Sequence, residues 1–152
     1  MKMGLLFAAL LSGLFSARAT AESPVGSWTF ETAKISPNCT LSGDMRIWPG
    51  SGEGAFLCRF TSLQLCDGEP PLQIRVEQSC TASLRGAQLN IRSKIEKTLS
   101  VSPEDRRDDV DAFYAPDNFF VSMHAGGDEM TGMFRSVGQA FVRFIRREDL
   151  VS

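Results

Sequence analysis

The stretch LQIRVEQSCTASL, residues 72–84, decides the fold. Leu72, Ile74, Val76, Cys80, Ala82 and Leu84 fall on one face, and Gln73, Arg75, Glu77, Ser79, Thr81 and Ser83 on the other. That is the period of two of a strand with one buried side. Leu89, Ile91 and Ile95 repeat it against Asn90, Arg92, Lys94 and Glu96. The link Arg85-Gly86-Ala87-Gln88 is short and holds a glycine, so the two segments read as a hairpin.

Working outward, the same alternation predicts strands over 26–32, 40–48, 55–65, 119–124, 129–136 and 139–147. Pro49-Gly50-Ser51-Gly52, Asp67-Gly68-Glu69-Pro70 and Gly126-Gly127-Asp128 supply turn chemistry between them. Eight short-linked strands are neighbours in sequence order, and closure removes their exposed edges. The expected architecture is all-β, an eight-stranded antiparallel up-and-down barrel. A two-sheet β-sandwich is the alternative, because alternation does not reveal closure. The connection over 102–118 is long. Ser102 as N-cap, Pro103 at the first helical position and the acids after it predict a short helix over 103–112, with a plain surface loop as the other reading.

At the amino end, Lys2, an apolar run from Gly4 to Phe15 and Ala19-Thr20-Ala21 form an export signal. The run is about a dozen residues, short of the roughly 18 that would span a membrane. Residues 1–21 are therefore read as a cleaved signal peptide and 22–152 as a single domain, periplasmic or secreted. No cysteine stands at the cleavage site to take a lipid. Export favours disulfides among Cys39, Cys58, Cys66 and Cys80. In an antiparallel hairpin the numbers of directly opposed residues add to a constant. A turn centred near Gly52 requires about 104 and Cys39 with Cys66 gives 105; one centred near Glu69 requires 138, which Cys58 with Cys80 gives. Cys39–Cys66 and Cys58–Cys80 are the expected bridges. Leu63 and Leu65 carry the wrong parity, which suggests a bulge that would shift the register; sequential pairing, Cys39–Cys58 with Cys66–Cys80, is the alternative.

Composition excludes several functions. The net charge is −2 and no Lys/Arg-rich block is present, so nucleic acid is not an expected partner. The run EDRRDDVD, residues 104–111, mixes both signs and reads as a solvated face. His124 is the single histidine, too few for a zinc centre, and no serine sits in a nucleophile-elbow context. Asp108, Asp109, Asp111, Asp128 and Glu129 could pair as catalytic carboxylates, but they fall in turns and in the acidic segment. Asp105 to Asp111 lacks the glycine and terminal glutamate of a calcium loop. No cofactor and no enzymatic activity are expected. Arg75, Glu77, Arg92, Lys94 and Glu96 on the outward face argue against a barrel embedded in lipid.

Gly26-Ser27-Trp28 opens the first strand, and Gln139 to Arg146 places arginines on the last. This resembles the calycins, the lipocalins and related small barrels. Glu129-Met130-Thr131-Gly132-Met133-Phe134 is likewise similar to lipocalin-like bacterial envelope proteins. The resemblance implies that Trp28 closes the barrel base, with Arg143 or Arg146 packed over it. It also implies non-enzymatic binding of a small apolar or amphipathic ligand in or at the mouth, with Phe56, Phe60, Phe119 and Phe120 as contributors. Gly43, Gly132 and Ser93 are the inward positions that would open space; otherwise the interior is packed. One calycin branch inhibits secreted metalloproteases through an N-terminal segment, comparable with Glu22-Ser23-Pro24-Val25. A protein partner engaging that segment or the 102–118 connection is the second expectation.

Overall fold

The computed structural model describes residues 22–148; the export signal read over 1–21 lies outside them. Eight strands follow in order: β1 (Gly26–Thr32), β2 (Cys39–Pro49), β3 (Ala55–Cys66), β4 (Leu72–Arg85), β5 (Gln88–Ser102), β6 (Asn118–Met123), β7 (Glu129–Arg135) and β8 (Gln139–Arg147). Each pairs antiparallel with the next, and β8 pairs with β1, closing the barrel. The sandwich alternative is excluded. A short helix, α1 (Arg107–Phe113), preceded by a 3-10 turn over Glu104–Arg106, interrupts the strands.

Both predicted bridges form, Cys39–Cys66 across β2 and β3 and Cys58–Cys80 across β3 and β4. Each joins directly opposed residues of a ladder. The bulge expected at Leu63 and Leu65 is absent: both ladders of β3 run in unbroken register, and the two leucines point outward. The irregularities lie between β4 and β5 instead, where β5 carries two extra residues, Glu96 and Leu99. Each resets the parity, so Ile95, Thr98 and Val101 stay on the inner side three residues apart. This hides the strand from a period of two and carries β5 on to Ser102. That residue therefore ends a strand and is not a helix cap. Pro103 is extended, ahead of the first helical turn, and no side chain caps it.

The interior is filled by rings. Phe119 lies with its ring centroid 5.1 Å from Phe30, 5.2 Å from Phe144, 5.7 Å from Phe60 and 5.8 Å from Phe134. The glycines expected to open space do not. A side chain on Gly43 would collide with the Phe30 ring, and one on Gly132 with the β6 backbone at Phe120 and Val121. Their missing side chains are occupied volume, as dense interiors require.

One end of the barrel is closed by Trp28, which is fully buried. Its indole Nε1 donates to the Pro24 carbonyl at 2.9 Å. The Arg146 guanidinium lies 4.3 Å from the ring centroid and donates to the carbonyls of Gly127 (2.8 Å), Val25 (2.6 Å) and Ser23 (2.7 Å). Arg146 shares the parity of the inward Ala140, Val142 and Phe144. Arg143 has the opposite parity and pairs on the outer wall with Glu129 at 2.7 Å. Arg146→Ala removes the ring contact and three charge-assisted hydrogen bonds, so it should lower the unfolding free energy by about 2–4 kcal/mol in urea titration. Arg143→Ala should change it by less than about 1 kcal/mol, as befits an exposed pair. Equal effects would contradict this account of the base.

Candidate functional site at the barrel mouth

The opposite end gathers the β1–β2, β3–β4 and β7–β8 turns and the connector that carries α1. Val110 of α1 is buried against Ile74, Val76 and Val101, with Leu72, Ile95 and Tyr114 packed around it. This second apolar cluster lies beyond the ring-filled core and seats the helix over the mouth. Between α1, the β1–β2 turn and the β7–β8 turn lies a cleft of about 300 Å³. Its walls are mostly apolar, with Ile35, Pro37, Leu72, Val110, Phe134 and Ala115 among them. Gln64 and the Arg106–Asp109 ion pair, 3.1 Å apart, mark its polar margin. Two apolar side chains of the lining stand out into solvent, Phe113 at 77 % exposure and Val137 at 84 %.

A buried polar cluster anchors this arrangement. Asp117 is 1 % exposed, at the point where the connector enters β6. Its Oδ2 accepts from Gln78 Nε2 (2.6 Å), the Tyr114 hydroxyl (2.8 Å) and Ser62 Oγ (3.2 Å), while its own backbone N–H donates to Gln78 Oε1 at 3.0 Å. Burial pushes the carboxyl from about 3.8 up to about 6, and the three donors only partly offset it. Burial, together with the neighbouring Asp117 charge, also raises the Tyr114 hydroxyl, which stays protonated and available to donate.

The four aromatics expected to contribute to binding do not converge. Phe60 and Phe119 are locked in the central ring cluster. Phe56 packs against the edge of that core near the β2–β3 turn, at the Trp28 end. Phe120 points outward at 47 % exposure, opposite Met133 on β7. The parity argument explains the split: Phe119 and Phe120 are adjacent on one strand and must face opposite sides.

Nor do the titratable residues weighed as catalysts form a common site. Asp108 and Asp111 lie exposed on α1, and Asp109 is held by Arg106. On the outer wall, exposed His124 lies 2.7 Å from the Thr131 hydroxyl and 3.9 Å from Glu129, whose carboxylate is engaged by Arg143. Ser93 faces the barrel interior with a buried hydroxyl that has no hydrogen-bond partner. The residues that organise the mouth, Ser62, Gln78, Tyr114 and Asp117, were not singled out by the sequence reading. Two of them had left a trace. Ser62 and Gln78 hold the same parity as Phe60 and Val76, so each is a polar residue on a core face, which requires a buried partner. Comparison with known proteins adds no relative: no protein-family model matches the chain, and no curated protein matches it.

The Asp117 carboxyl gives a testable pH signature. Its folded-state pKa exceeds the unfolded value, so between about pH 4 and pH 6 the folded state binds more protons. Its contribution to stability is therefore greatest on the acid side, declines as pH rises through about 6 and is level above that. Asp117→Asn removes the titration. The unfolding free energy of the variant minus that of the native protein should climb between about pH 4 and pH 6.5 and then flatten. A difference that is constant with pH would refute the assignment.

Proposed function

We propose that this protein is an exported, non-enzymatic binding protein that takes a small apolar or amphipathic ligand at the mouth of a calycin-like barrel. The observation that carries the reading is the contrast between the two spaces. The interior is filled by packed rings, whereas the cleft beneath α1 is open, apolar and rimmed by a few polar groups. A volume of about 300 Å³ stands at the lower end of what small-molecule sites need, which favours a short chain or a single ring over a bulky ligand. The Gly26-Ser27-Trp28 start, with Arg146 over the indole, supports the calycin comparison. Two disulfides fit an oxidising compartment, and periplasmic or secreted location belongs to the same proposal. Among the described residues no helix is long and apolar enough to cross a membrane.

One observation favours a second reading, a protein-interaction module such as a periplasmic protease inhibitor. Phe113 and Val137 project from the mouth as an apolar residue does when it anchors an interface. The two readings separate experimentally. The fluorescent amphiphile 1-anilinonaphthalene-8-sulfonate serves as probe on mature, detergent-free protein. Ala115→Phe, which fills the cleft from its lining, should weaken probe binding about tenfold while the thermal unfolding midpoint holds. Phe113→Ser should weaken it far less. Probe affinity indifferent to Ala115→Phe would remove the mouth from the ligand reading. Native mass spectrometry of protein from an exporting host should show extra mass lost on denaturation.

A further inference from the structure

A feature outside the mouth cleft points to a second surface. β5 is fifteen residues long, and β4 follows it along its whole length. β6 pairs with it only from Gln88 to Ile91. The Ser93 N–H is taken by the Asn118 side chain at 2.8 Å. From Lys94 to Ser102 no hydrogen bond joins β5 to the connector or to β6 among the described residues. The cause lies in the connector. Pro116 has no N–H to give, and the Asp117 N–H is turned inward to Gln78. The chain therefore leaves the barrel wall as soon as it passes Asn118. α1 does not repair the ladder, because it packs through Val110 on the inner side. Glu96, Lys97, Leu99 and Ser100 are exposed along this stretch.

We infer that the unpaired edge of β5 beyond Arg92 receives an extended acidic segment of a partner protein as an added strand. Charge selects the occupant. Arg92, Lys94 and Lys97 are all exposed, and none has an acidic group within ion-pair distance among the described residues. Glu96 is turned towards β4, where Ser79 donates to it at 2.5 Å. A second copy of the chain would set this cationic rim against itself. The bulges at Glu96 and Leu99 bend the strand, and lysines with bulges are the devices that keep free edges from pairing with their own kind. An acidic strand meets the opposite condition. Its main chain satisfies the idle N–H and C=O groups, and carboxylates on its outer face oppose Arg92, Lys94 and Lys97. Its inner face lies beside half-buried Ile95, which favours alternation of acidic with apolar β-branched residues.

The test uses two capped ten-residue probes, one alternating Glu and Val and the other alternating Lys and Val, titrated into isotope-labelled mature protein. With the Glu-Val peptide, amide shifts and slowed hydrogen exchange should concentrate between residues 92 and 102. Lys94→Glu with Lys97→Glu should weaken binding about tenfold while leaving circular dichroism and the unfolding midpoint in place. Three results overturn the inference: exchange at these amides unchanged at saturating peptide, equal binding of the Lys-Val peptide, or perturbation confined to the β1–β2 and β7–β8 turns. A dimer at micromolar concentration with the same β5 amides protected would assign the edge to a second copy and also overturn it.

Discussion

The Asp117 carboxylate is the tie on which the upper half of the barrel depends. It is buried among donors from three separate segments, the β3 serine, the β4 glutamine and the tyrosine that follows α1. Because its charge is met by hydrogen bonds and not by a cation, burial remains costly and the group sits close to protonation at mildly acid pH. The same contacts turn the chain inward before β6. That turn lifts the connector off β5, seats α1 over the mouth and leaves both the cleft and the short β5–β6 seam.

The two ends of the barrel solve different problems. At the base, an indole and a guanidinium close the interior and bind the incoming chain through its carbonyls. At the mouth the seal is a helix on a small apolar cluster, with polar groups beneath it. A ring-packed centre separates the two. An eight-stranded barrel is only wide enough for side chains or one small ligand, and here five phenylalanines take that room. Open space is left at the rim and along the outer wall.

Much of this was legible in the sequence because a strand with one wet face writes its orientation residue by residue. Leu72 to Leu84 carried the fold, and the turn centres placed Cys39 opposite Cys66 and Cys58 opposite Cys80 with no further information. Legibility failed where the period was broken or reused. The extra residues at Glu96 and Leu99 disguised the far half of β5, so a strand end at Ser102 read as a helix cap. Leu63 and Leu65 looked like a register fault but are outward leucines on a regular strand. The mouth was hardest to read. Asp117 looks like an ordinary turn acid, and only the three-dimensional meeting with Gln78 and Ser62 shows it to be a core residue. Phe119 and Phe120 are neighbours on one strand, so the alternation that orients Leu72 to Leu84 also sends one of them into the core and the other to solvent.

Both disulfides meet on β3, one at each of its flanking ladders. The oxidised chain therefore never loses β2, β3 and β4 as a linked group, even when every other contact is gone, and its disordered ensemble is correspondingly restricted. The opposite flank has no such crosslink, and its β5–β6 ladder spans four pairs. Local opening of the molecule is thus directional. The β5–β6 seam holds the fewest ladder pairs between neighbouring strands, so parting there breaks the fewest main-chain hydrogen bonds, while β2, β3 and β4 stay stapled as a fixed spine.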